Sequence, residues 1–231
     1  MVTPDSTRLQ PLMDALGAAL QTAASANPAE AETLLAFAND LEALPQGLPF
    51  NPRPSSPVRG LRFLAEAAHL AQRAFPGPLT HGAREAAGWA RWTEFYREDP
   101  WSAPFLDRFA MGEIVGPTGS WLCNDVIVGL FVFGPELDYP PHAHPAEEIY
   151  IPLNGAPQFQ VGVDASHRAR LPGEVILHRP DVSHAIRTHA EPVFGLWAWR
   201  GAIAEPSWYR TSMGDDAASK RYPPLCKPPT P

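Results

Sequence analysis

Seven short apolar runs follow Pro100, each cut off by turn-forming residues, and this pattern constrains the fold more than any other feature. They are Phe109–Val115, Val126–Phe133, Glu148–Leu153, Phe159–Val163, Glu174–Leu177, Ala185–Thr188 and Val193–Trp199. Runs of this length at regular spacing predict many short strands in a sandwich or barrel, not alternating βα units. The longest apolar stretch, nine residues from Val126 to Gly134, is far short of the ~20 a spanning helix needs. Twenty-eight prolines in 231 residues exclude a coiled coil or a long-helix protein.

The first hundred residues carry a different period. Leu9, Leu12, Met13, Leu16 and Leu20 recur at helical spacing, as do Leu34, Leu35, Ala38 and Leu41 after the Asn27-Pro28 start signal. A third helix is expected from Ser56-Pro57 to about Phe75, striped by Leu61, Leu64, Ala68 and Ala71 and stopped by Pro76-Gly77-Pro78. A fourth is expected from near Thr80 to Glu98, with Trp89, Trp92 and Tyr96 on one side. The resulting division is a helical segment over 1–100, a β-barrel over 101–205 and a proline-rich tail over 206–231. The helical stripes suit either packing on the barrel or a homodimer interface.

Hydrophobic residues at 45% against 19% charged describe a folded chain. A net charge of −7 argues against nucleic acid, whose phosphates need clustered Lys and Arg. Cys123 and Cys226 are too few and too far apart for a disulfide framework or a cysteine zinc site. Without an export signal at Met1–Asp5 or a membrane span, the expected setting is the cytoplasm.

Three of the eight histidines, His142, His144 and His184, fall in one pattern. His142 and His144 are two apart, so an extended chain projects both imidazoles to one side. Glu148 and Tyr150 share that parity; Pro145 bends the chain and brings the four onto adjacent strands facing one interior. Glu147 competes with Glu148, but parity and the six residues to Gly155 favour Glu148. Two imidazoles and a carboxylate suit Fe(II), Mn(II), Zn(II), Co(II) or Ni(II). A further donor is offered by His184, which follows the turns at Pro172-Gly173 and Pro180.

The pattern His-x-His-x3-Glu-x6-Gly, then Pro-Gly and a later His after a proline turn, resembles the two cupin motifs. His142, His144, Glu148, Gly155, Pro172, Gly173 and His184 carry the likeness, over roughly residues 105–200. It implies a mainly β fold, a double-stranded β-helix (jelly-roll) barrel, here with an α-helical N-terminal extension. Tyr139, three residues before His142, and Tyr150, two after Glu148, narrow the resemblance to the cupin-type dimethylsulfoniopropionate (DMSP) lyases, most closely the DddL branch. The resemblance implies cleavage of DMSP to acrylate and dimethyl sulfide. It also implies one divalent transition metal ion on His142, His144, Glu148 and His184, with Tyr150 as base.

The chemistry suits these residues. Elimination removes a proton α to a carboxylate, so a Lewis acid on that carboxylate and a base at Cα are both required. Tyr139 is the alternative base, a carboxylate anchor or a cover for the site. The sulfonium of this zwitterionic substrate has no hydrogen-bond donor, and an aromatic wall is its natural holder. Trp197 and Trp199, of one parity on the last apolar run, are the candidates. Other cupin enzymes (dioxygenases, isomerases) and non-catalytic ligand-binding cupins are the rival readings. His178 reads as a strand-end hydrogen-bonding residue, with support of a metal ligand as its secondary reading.

Overall fold

Two antiparallel sheets grow from the apolar runs, and four helices cover one of them. The computed structural model of the chain describes residues 6–51, 55–210 and 219–221. Helices α1 (Gln10–Ala26), α2 (Ala31–Glu42), α3 (Leu64–Ala74) and α4 (Pro78–Ala86) come first. Strand β1 (Arg91–Thr93) and a single turn α5 (Ala103–Leu106) lead into β2 (Phe109–Gly116), β3 (Trp121–Leu122) and β4 (Val126–Phe133). Next come β5 (Asp138–Ala143), β6 (Ala146–Pro152), β7 (Gln158–Val161), β8 (Arg168–Ala169) and β9 (Ile176–His178). The chain continues through β10 (His184–Arg187), β11 (Val193–Gly201), β12 (Trp208–Arg210) and β13 (Ser219–Arg221). One sheet runs β1-β2-β4-β11-β6-β9, with β3 alongside β2; the other runs β13-β12-β5-β10-β7-β8. Together they form the jelly-roll barrel, with the helices as an N-terminal extension.

Strand alternation divides the first sheet between two cores. Val128, Leu130 and Val132 of β4, Ile149 and Ile151 of β6, and Leu196 and Ala198 of β11 face outward. There they share one apolar core with Leu12, Leu16, Leu20 and Phe37 of the helices. The alternate positions Phe131, Phe133, Tyr150, Trp197 and Trp199 line the barrel interior. Both faces are thus covered, which is why β4 reads as an unbroken apolar run. Gly129 occupies an interior position where a Cβ would lie 2.3 Å from Trp197 Nε1, so its missing side chain makes room for the indole.

Two stretches depart from the expected division. The fourth helix ends at Ala86 instead of continuing to Glu98. Residues 91–93 form an edge strand on β2, with Trp92 opposite Gly112 and its indole filling the space a Cβ there would take. Aromatic and β-branched residues suit such a pleated surface, and spacing alone could not separate it from a helical stripe. At the other end, β12 pairs with β5 at Ala143 and His142 and β13 pairs with β12, so residues 208–210 and 219–221 extend the second sheet. Cys226 and residues 222–231 of the expected tail lie outside the described residues. Among the described residues no helix is long and apolar enough to cross a membrane.

Candidate active site

The barrel interior holds the histidine cluster, and strand register explains how it assembles. In the second sheet His142 of β5 lies opposite His184 of β10. His144 follows where the chain leaves β5 to enter β6. In the first sheet Glu148 of β6 sits between Trp199 of β11 and His178 of β9, one inward-facing row across three strands. Two residues along, Tyr150 sits opposite Trp197. Glu147, of the opposite parity, turns away and accepts a hydrogen bond from Arg200, which also binds Asp40 of α2. The pleat thus turns Glu148 into the barrel and Glu147 out of it.

Glu148 is the centre of this arrangement. Its Oε2 lies 3.0 Å from His144 Nε2, 3.1 Å from His184 Nε2 and 3.0 Å from His178 Nδ1. Its Oε1 accepts a 2.6 Å hydrogen bond from the Trp199 indole. Burial alone would raise the Glu148 carboxyl, but the charge and hydrogen bond of His144 and the bonds from His178 and His184 hold it well below the usual range. It is an anion buried in the barrel interior.

The imidazoles are oriented to receive a cation. His142 Nδ1 lies 3.0 Å from the Pro140 carbonyl, His144 Nδ1 2.9 Å from that of Ala146, and His184 Nδ1 2.9 Å from that of Val182. A carbonyl only accepts, so each Nδ1 carries a proton and Nε2 is the nitrogen presented to the interior. Two such Nε2 atoms meet the Glu148 oxygen at 3.0–3.1 Å. That closeness requires a positive charge among them, a proton or a metal ion. The donor atoms of His144, Glu148 and His184 all lie within 4.8 Å of one another, and all three residues are buried. The residues present thus fit a divalent transition metal ion. His142 stands beside this group, its ring 4.1 Å from that of His184 and 6.4 Å from that of His144.

Around the cluster lie the tyrosines and tryptophans. Tyr150 is buried against Phe131, Phe159 and His178. Burial, then the Glu148 charge, Tyr96 and a hydrogen bond to Glu148 push its phenol well above 10. Tyr139 stacks on His142 at 4.1 Å and shares a short hydroxyl–hydroxyl hydrogen bond with Tyr96. Burial, the neighbouring Tyr96 and Tyr150, the Tyr96 bond and Glu148 raise it similarly. Of the two tryptophans expected to form a sulfonium wall, Trp197 does line the interior with a buried indole nitrogen. Trp199 instead packs on His144 at 4.3 Å and uses its indole N–H on Glu148.

Sequence reasoning missed two residues here. Tyr96, assigned to a helical stripe, sits in the loop after β1 and reaches Tyr139. His178, read mainly as a strand-end residue, is wholly buried, stacked 3.9 Å from His184 and bonded to Glu148. Its parity with Ile176 on a strand entering the barrel was the available signal.

A pH dependence follows. Burial, then the His184 charge, lowers His178 from 6.5 to about 3, and burial likewise lowers His142 well below 6.5. Below pH 6.5 the unfolded chain therefore takes up protons that the folded rings refuse. After metal is removed by chelation, stability is expected to fall steadily as pH drops from about 6.5, the His178 contribution levelling off near 3. Urea midpoints between pH 7.5 and 4.5 check this; a flat profile would contradict the burial of neutral imidazoles.

Comparison with known proteins agrees with this geometry. The sequence profile of the dimethylsulfoniopropionate lyase family matches residues 79–194. The chain is 32% identical over 164 residues to the dimethylsulfoniopropionate lyase DddQ of Ruegeria pomeroyi, covering 70% of this chain and 79% of that one. It is 31% identical over 154 residues to the putative lyase DddL of Cereibacter sphaeroides, covering 66% of this chain and 63% of the other. The crystal structure of the Ruegeria pomeroyi DddQ superposes with a TM-score of 0.61 at 26% identity, over 86% of this chain and 99% of that one. With that fold, that profile and that histidine–glutamate centre, the chain belongs to the dimethylsulfoniopropionate lyase family.

Proposed function

We propose that the barrel interior is the active site of a carbon–sulfur lyase that converts DMSP to acrylate and dimethyl sulfide, with His142, His144, Glu148 and His184 as metal ligands. The observation that carries the metal reading is the meeting of two Nε2 atoms with the Glu148 carboxylate, each imidazole pinned through its Nδ1. When bound, a divalent ion there supplies the Lewis acid that a carboxylate substrate needs before its α-proton becomes removable.

The chain's own side chains divide the remaining work. As a phenolate, the form that the charge of a bound cation would stabilise against burial, Tyr150 takes the proton from Cα; the C–H electron pair becomes the Cα–Cβ double bond. The C–S pair leaves with sulfur as neutral dimethyl sulfide. Tyr139 contributes its hydroxyl, held by Tyr96, to the substrate carboxylate. Trp197 and the neighbouring phenylalanine rings offer the sulfonium an aromatic surface and keep water from the carbanionic centre. Trp199 serves the ligand Glu148 more directly than the substrate, as its indole hydrogen bond indicates.

Headspace gas chromatography tests the assignment. Protein loaded in turn with Fe(II), Mn(II), Co(II), Ni(II) or Zn(II) is expected to release dimethyl sulfide and acrylate in equal amounts from DMSP with at least one metal. Release with none of the five would overturn the lyase reading.

A further inference from the structure

Four histidines surround Glu148, and they are not alike. His142, His144 and His184 each engage a backbone carbonyl through Nδ1, which commits Nε2 to the interior. His178 is turned the other way. Its Nδ1 lies 3.0 Å from Glu148 Oε2, while its Nε2 is buried and meets no hydrogen-bonding partner among the described residues. An ionised carboxylate only accepts, so the His178 ring donates from Nδ1. The ring is wholly buried, stacked on His184 at 3.9 Å and flanked by Tyr150 and Phe159 at 5.5 and 6.1 Å.

We infer that His178 is a positioning residue for the metal ligand Glu148: its Nδ1–H donor fixes the carboxylate plane and the oxygen presented to the ion. The inference rests on the reading of Glu148 as a ligand. Both carboxylate oxygens are then restrained from opposite sides, Oε1 by Trp199 and Oε2 by His178, from the strands flanking β6. A carboxylate held at both oxygens cannot swing between one-oxygen and two-oxygen ligation without breaking a buried bond. That restraint fixes coordination number, and partners of this kind are worth roughly 10–100-fold in metal affinity. Stacking on His184 lets the same ring set the plane of a second ligand.

The test separates the donor from the bulk. In His178→Asn the shorter amide places an N–H near the old Nδ1 position; in His178→Gln the amide reaches toward Nε2 and leaves Oε2 without its donor. His178→Leu removes the donor and keeps apolar volume. Metal affinity is read by competition with a chromophoric chelator, and geometry by the visible absorption of the Co(II)-loaded protein. These readouts do not require turnover, so a failed lyase assay and a failed positioning role are distinguishable. His178→Asn is expected to bind Co(II) within about threefold of wild type with the wild-type spectrum. His178→Gln and, where it folds, His178→Leu are expected to bind roughly 10–100-fold more weakly, with altered bands. Three results would overturn the inference: wild-type affinity and spectrum in His178→Gln or His178→Leu, weakening in His178→Asn equal to that in His178→Gln, or complete loss of binding in every variant, which would make His178 a ligand.

Discussion

Tyr150→Phe is expected to lower turnover of DMSP by about a thousandfold or more while metal content stays at the wild-type level. The magnitude follows from what a positioned general base contributes, about 10²–10⁴ in rate. Nothing else in the interior replaces it at the same place. Tyr139 sits on the second sheet, stacked on His142, and its hydroxyl is already engaged by Tyr96. The expectation of unchanged metal content rests on Tyr150 meeting Glu148 only through its hydroxyl. Its ring packs against Phe131, Phe159 and His178, contacts that phenylalanine keeps. The folded protein should keep its packing and lose about 1.5 kcal/mol at most, since Glu148 gives up one of several hydrogen bonds. Steady-state kinetics with metal analysis on the same preparation checks both halves. Full retention of turnover would remove Tyr150 as the base, and Tyr139→Phe on the same assay would then identify its replacement.

How much of this site could be read from the chain depends on which direction its residues are related. His142 and His144 are linked along one strand, where the two-residue period puts side chains on one face. Glu148 and Tyr150 are linked the same way, and the same rule turns Glu147 to the other face. His184 is marked by turn residues at Pro172-Gly173 and Pro180. All of these are local relations, and they were legible.

Trp199 and His178 belong to the site because they flank Glu148 across β11 and β9, and register between strands leaves no trace in a single sequence. Tyr96 was obscured differently: Trp89, Trp92 and Tyr96 fit a helical stripe, yet Trp92 pairs in an edge strand and Tyr96 reaches over the barrel interior. The barrel itself was legible from its short runs because turn chemistry is local. The helices were legible as amphipathic, but nothing in their stripes told what they cover. The structure answers that through the outward faces of β4, β6 and β11, which share the helices' core.

The sharpest consequence concerns Glu148→Gln, where metal-free stability, metal affinity and turnover are all expected to fall. Gln is nearly isosteric, so its Oε1 can keep the Trp199 hydrogen bond. At the other position the change is larger: an NH2 group replaces the oxygen that lies 3.0 Å from His144 Nε2 and 3.1 Å from His184 Nε2. His178 Nδ1 donates to that same oxygen at 3.0 Å, so the amide sets one donor against another, and the imidazoles lose the anion they surround. The metal-free variant should therefore unfold at a lower temperature than metal-free wild type, a loss of about 1–3 kcal/mol. Metal affinity should fall as well, at least a hundredfold, because the anionic ligand is lost and the amide fills the centre of the cluster. Turnover of DMSP should fall by about a thousandfold or more, with no rescue by Tyr150, whose task begins only once the substrate carboxylate is polarised. Calorimetry on chelated protein, metal titration and the dimethyl sulfide assay measure the three quantities separately. A variant that binds metal normally would remove Glu148 from the ligand set. An unchanged unfolding temperature in the metal-free variant would show that the buried carboxylate and its imidazole partners do not stabilise the barrel.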